Sequence, residues 1–145
     1  MRLRPAEVQF RTYDVRAYQA SLASRLKMKE VFIMAKVFGI TPIELRPGVN
    51  GEDFEKFWIG EYAPLGLRMG WISHVLKGDR GERAGKYTTI WEIASVEERD
   101  RYAPAAGQWT EEALRLFGPD FQRLNEKLGT LVTGWPFTQY VEIGK

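Results

Sequence analysis

The sequence predicts an α+β fold in which four antiparallel strands form one sheet with helices on one face, in the order βαββαβ. Three observations predict it. The stretch Glu30–Gly39, EVFIMAKVFG, is apolar on both side-chain parities and reads as a central strand. Two later apolar segments, about Trp71–Lys77 and Lys86–Ile93, flank a turn-rich Gly78–Gly85, GDRGERAG, and form a hairpin. Capped helical patterns occupy the two intervals that must cross from strand to strand, and right-handed crossovers then give the split βαβ arrangement.

The elements follow in order. Residues 1–29 form an N-terminal basic arm, with seven Lys/Arg against Glu7 and Asp14, while residues 30–145 form the folded domain. Within the arm, Asp14 caps a short helix whose apolar stripe is Val15, Tyr18, Leu22 and Leu26. The first strand is expected over about 30–38, with Val31, Ile33, Ala35 and Val37 on one face and Phe32, Met34 and Phe38 on the other. A strand apolar on both faces is covered on both, by its own helices on one side and by a second subunit on the other.

Asn50 is the N-cap of the first helix, with Glu52 and Asp53 in its positive first turn and Phe54, Phe57, Trp58 and Tyr62 as its apolar face. Pro64 disfavours helical geometry at Ala63 and is expected to end that helix near Tyr62. A symmetric hairpin pairs Lys77 with Lys86. That register puts His74 opposite Thr89, on one face with Ile72, Leu76, Tyr87, Trp91 and Ile93. Ser95 and Glu98 make a capping box, and Thr110 caps a further helix carrying Leu114, Phe117, Phe121, Leu124 and Leu128. Gly118–Pro119 breaks or kinks it, and Gly129 is expected to stop it. The last strand spans about Phe137–Ile143.

Composition removes several chemistries. No cysteine is present among the 145 residues, which excludes disulfides, thiolate metal sites and a Cys nucleophile, and fits a cytoplasmic location. No apolar run approaches the roughly 18 residues of a membrane helix. With one histidine and no close carboxylate trio, no metal and no cofactor are expected. Net charge is +2, and the arm lacks the density and interleaved aromatics of a nucleic-acid binder.

The chain resembles the dimeric α/β-barrel superfamily of ferredoxin-like domains, which includes Dabb, NIPSNAP-like and antibiotic-biosynthesis monooxygenase domains. The likeness is carried by the apolar first strand and by Arg46-Pro47-Gly48 leading into an acidic helix start with Phe54 and Trp58. The Gly-bounded hairpin and Trp91–Glu97, WEIASVE, complete it. It covers about 30–102 and the last strand. The resemblance implies a homodimer whose sheets join into a barrel, with any ligand cavity between each sheet and its own helices. The haem-degrading branch looks for a histidine in the second helical region, and residues 95–128 contain none. Cyclase-like members use several strand histidines, and this chain has one.

His74 is the candidate general acid or base, because imidazole alone titrates near neutrality unaided; the competing reading is a half-buried histidine satisfied by a neighbour. Trp58, Tyr62, Tyr87, Thr89 and Trp91 are the candidate lining of a substrate site, and Trp71, Trp109 and Tyr140 are further aromatics able to stack on a planar ligand; the competing reading of aromatics at helical or strand spacing is core packing, which is the commoner case. Glu92 and Glu142 lie in strands, where a carboxylate either acts as acid or base or pairs with a cation such as Lys36. Two functions remain open: a small-molecule enzyme acting on an apolar or aromatic substrate, and a non-catalytic dimerisation or ligand-binding module.

Overall fold

The computed structural model describes residues 16–17, 19–27 and 32–144. The chain divides into two compact units, Met1–Ile33 and Met34–Lys145. In the first, residues 16–17 and 19–27 are helical, with Leu22 and Leu26 exposed. Asp14, Val15 and Tyr18, which carry the expected cap and half of the stripe, lie outside the described residues, as do Glu30 and Val31.

The second unit begins the sheet later than expected. Strand β1 is Val37–Ile43, whereas Phe32, Ile33 and Met34 are helical. A short run that is apolar on both parities suits a helix as well as a strand. The β-branched residues that favour a pleated surface gather downstream, at Val37, Ile40, Thr41 and Ile43. On β1 the inward positions Val37, Gly39, Thr41 and Ile43 are buried, while the outward Phe38 and Ile40 are half-buried and Pro42 is exposed.

Asn50 caps helix α1, Gly51–Phe57, its Oδ1 accepting from the Glu52 N–H at 2.9 Å. The helix does not end near Tyr62. A π-helical turn, Trp58–Tyr62, leads directly into helix α2, Ala63–Leu67, which holds Pro64 in its first turn. The widened turn, with the Ala63 N–H bonded to the Trp58 carbonyl, makes room for a ring that a regular helix interior would reject.

Strands β2, Ile72–Lys77, and β3, Tyr87–Ile93, form the hairpin. Helix α3, Val96–Tyr102, starts at Ser95, whose Oγ accepts from the Glu98 N–H at 3.0 Å. Helix α4, Glu111–Phe117, is capped by Thr110 and stopped by Gly118 at φ 64°. Helix α5 then spans Asp120–Leu131, running through Gly129. Arg46 Nε donates to the Gly129 carbonyl at 2.8 Å, so that position is tied to the strand side and does not terminate the helix. Strand β4 is Thr138–Val141.

All strand pairs are antiparallel, and the order is β2-β3-β1-β4, the ferredoxin-like arrangement of βαββαβ. The core of Val37, Ile43, Phe54, Ile93, Leu128 and Val132 lies between this sheet and the helices. The hairpin register differs from expectation by one residue: Lys77 pairs with Tyr87, and His74 with Ile90. The connection is longer than composition suggested because it folds back on itself, with Gly85 N–H bonded to the Gly78 carbonyl at 2.8 Å. A Cβ at Gly78 would strike the Arg83 carbonyl, so only glycine permits that fold-back. The slip exchanges faces completely. His74 shares the outward face with Ile72, Leu76, Ile90 and Glu92, while Tyr87, Thr89, Trp91 and Ile93 point toward the helices.

Candidate functional site

Between the inward face of the sheet and the helices lies a cavity of about 550 Å³. Its floor is Gly39 and Thr41 of β1 beside Thr89 and Trp91 of β3, paired Gly39 with Trp91 and Thr41 with Thr89. Gly39 matters by what it lacks: a Cβ there would meet the Trp91 Cβ at 3.7 Å, so its absence opens the floor. The π-helical turn supplies one wall, where Trp58 and Tyr62 stack at 4.6 Å. Trp71, Trp109, Phe117 and Phe121 supply another, with Trp71–Trp109 at 5.6 Å and Phe117–Phe121 stacked at 4.7 Å. Trp135 and Phe137 border the cavity and remain partly exposed to solvent.

Polar atoms enter this aromatic shell at few points. Trp58 Nε1 donates to Ser73 Oγ at 2.8 Å, and the Tyr62 hydroxyl donates to Asn125 Oδ1 at 2.8 Å. Arg99 Nη1 donates to Gln139 Oε1 at 3.2 Å. Thr89 is 1 % exposed and Thr41 is also buried. Trp91 is held in place by Gly66 of α2: a Cβ at Gly66 would collide with the Trp91 ring. Burial pushes the Tyr62 phenol up to about 12.

Of the residues expected to form the site, Trp58, Tyr62, Thr89 and Trp91 surround this one cavity, and Trp71 and Trp109 join them. Tyr87 does not. It packs beneath α1, its hydroxyl donating to Glu55 Oε2 at 2.6 Å, and that bond, reinforced by burial, pushes its phenol up to about 12. Tyr140 lies on the opposite, outward face and is exposed. So does His74, the expected acid or base. Its Nε2 stands 3.1 Å from Glu92 Oε2, and Glu92 Oε1 is bridged to Lys36 Nζ at 2.7 Å. Hydrogen bonds from Lys36 and then His74 hold the Glu92 carboxyl below its ordinary range. Glu92 is therefore the cation-paired strand carboxylate, and His74 does not share the cavity.

Sequence reasoning did not reach Arg99, Gln139, Asn125, Gly39 or Gly66. The glycine inside an apolar strand was a usable signal, since glycine there marks a bulge or a close approach. Arg99 reads as an ordinary charged helix residue, and only the tertiary fold brings it beside Gln139 of β4. Among the described residues no cluster of three or more potential metal ligands occurs, and no helix is long and apolar enough to cross a membrane.

No family profile matches this sequence, and no curated protein matches it. Solved structures do. A NIPSNAP-like domain protein from Burkholderia xenovorans is 17% identical with a TM-score of 0.53, over 76% of this chain and 87% of that one. A NIPSNAP family protein of unknown function from Agrobacterium tumefaciens is 15% identical with a TM-score of 0.52, over 75% and 89%. A protein from Pseudomonas aeruginosa is 15% identical with a TM-score of 0.50, over 77% and 98%. The likeness is one of fold. It agrees with the resemblance carried by the sequence, and a common fold of this kind says nothing of chemistry.

The two tyrosines give a direct test of this packing. Each folded phenol holds its proton more tightly than the unfolded chain, which ionises near 10. Their stabilising contribution is therefore whole below pH 10 and is lost as pH rises to about 12. In a titration followed by phenolate absorbance, Tyr62→Phe and Tyr87→Phe each remove one late-ionising group. A wild-type curve with every tyrosine ionising near 10 contradicts the geometry.

Proposed function

We propose that this protein is a homodimeric binding protein that holds a small apolar or aromatic molecule between its sheet and its helices. The observation that carries the binding half is the cavity itself, about 550 Å³ walled by Trp58, Tyr62, Trp71, Trp91 and Trp109. Ligand sites of small molecules have this size and this mixture, mostly apolar with a few placed polar groups. Binding is favoured over turnover because no His, Asp or Glu is among the described residues of the wall. The neighbouring folds described as of unknown function neither add to nor subtract from this reading.

The pairing half rests on the outward sheet face. Ile72, Leu76 and Tyr140 are exposed there beside the half-buried Phe38, Ile40 and Ile90. These apolar side chains, interrupted by His74 and the Lys36–Glu92 pair, make the face a mixed surface suited to interaction. The resemblance to dimeric α/β barrels names a second copy as its occupant. A cytoplasmic setting accords with the absence of cysteine.

The test of binding uses the neutral fluorophore N-phenylnaphthylamine. It is expected to bind with one site per chain and to quench tryptophan emission. Gly39→Val fills the floor and is expected to weaken that binding by at least about tenfold, with the circular dichroism spectrum retained. No binding to the wild type, or equal binding to Gly39→Val, overturns the proposal.

A further inference from the structure

Arg99 is the one charged residue among the described residues lining the cavity. Its side chain is 21% exposed, and its Nε bonds to Asp100 Oδ1 at 3.0 Å. Asp100 is the more exposed partner, so its carboxylate compensates Arg99 from the solvent side, where screening is strong. Nη1 reaches Gln139 Oε1, and Nη2 has no partner among the described residues. The guanidinium is thus paired through Nε and Nη1 and keeps Nη2 as a donor for a further acceptor.

Two further polar side chains of the lining add donors, beside Thr41, Thr89 and Gln108. A guanidinium only donates, so Gln139 must offer it the carbonyl oxygen, which leaves the Gln139 amide nitrogen as a donor. Asn125 likewise gives Oδ1 to the Tyr62 hydroxyl and keeps its own amide nitrogen as a donor. Neither nitrogen has an acceptor among the described residues. Arg99 Nη2 and these two amide nitrogens are thus donors without an acceptor among the described residues, a set that suits a carboxylate.

We infer that the ligand is an amphipathic monoanion: an apolar or aromatic body that fills the cavity and one carboxylate received by Arg99 and Gln139. One cation suits a single carboxylate; a phosphate dianion is ordinarily met by several cations or a helix terminus. This inference rests on the binding reading above and adds the chemical class of the ligand to it.

The test compares naphthaleneacetic acid with its neutral isostere naphthaleneacetamide by calorimetric titration, at a pH where the acid is ionised. The wild type is expected to bind the acid about tenfold more tightly than the amide. Arg99→Gln is expected to bring the two affinities together, and Arg99→Lys to keep part of the preference. Equal affinities in the wild type, or a preference that survives Arg99→Gln, overturns the inference, and the wild-type comparison decides even where a variant does not fold. If neither compound binds while N-phenylnaphthylamine still enters, the acid inference falls and the binding reading stands. If the neutral fluorophore also fails, both fall.

Discussion

On the proposed pairing, Ile40→Asp is expected to yield a folded single chain and the wild type a dimer. Ile40 lies at the middle of the outward sheet face, flanked by Ile90 on β3 and Thr138 on β4. A two-fold axis through that face brings the same residues of both copies together, so one substitution places two carboxylates in the buried interface. Burying unpaired charge there should raise the dissociation constant by at least about 100-fold. The fold itself should survive, because Ile40 points away from the core of its own chain and is only half-buried. Sedimentation equilibrium over a range of concentrations, with circular dichroism alongside, measures both halves of the expectation. A wild type that sediments as a single chain at high concentration refutes the pairing. A paired Ile40→Asp chain assigns the interface to another surface.

The second large effect is expected at Gly66. Alanine in place of glycine within a helix ordinarily stabilises, by about 0.5–1 kcal/mol. Here the added Cβ falls on the Trp91 ring, and Trp91 must swing toward the cavity to escape. Gly66→Ala should therefore destabilise the protein, by about 1–3 kcal/mol as an overpacked site, and should weaken N-phenylnaphthylamine binding as well. Gly60 is the control. It lies in the adjacent π-helical turn with nothing within 4 Å of the position its Cβ would take. Gly60→Ala should be neutral or mildly stabilising and should leave probe binding intact. Thermal melts and fluorescence titrations on the two variants separate the collision at Trp91 from a general effect of alanine. Matching behaviour of Gly60→Ala and Gly66→Ala would contradict the packing described for Trp91.

Much of the fold was legible because local signals agreed with the global arrangement. Asn50, Ser95 and Thr110 are the caps their side chains advertised, and Gly118–Pro119 separates α4 from α5 as expected. The features missed are those decided at a distance. Whether EVFIMAKVFG is helix or strand depends on where β3 and β4 pair, and the pairing begins at Val37. Pro64 was read against an ordinary α-helix, whereas the chain widens one turn to admit it. The hairpin register depends on how residues 78–86 fold back around Gly78, which composition does not encode. That single residue of slip moved His74 from the expected site to the opposite surface. Aromatic spacing alone suits a packed core as well as a cavity wall; Arg99, the cation among the described lining, is reached only once the tertiary structure brings α3 against β4.

Proline at position 42 denies the chain before β4 a template. Lys36 and Glu44 direct their carbonyls toward the β4 side, accepting from Glu142 at 2.9 Å and Thr133 at 3.0 Å. Pro42 shares their parity but has no N–H to offer, and β4 pairs with β1 only as far as Ile40 and Thr138. Residues 134–137 thus cannot zip onto β1 as a continuous ribbon. Trp135 and Phe137, in that unpaired stretch, border the cavity and keep part of their rings in solvent.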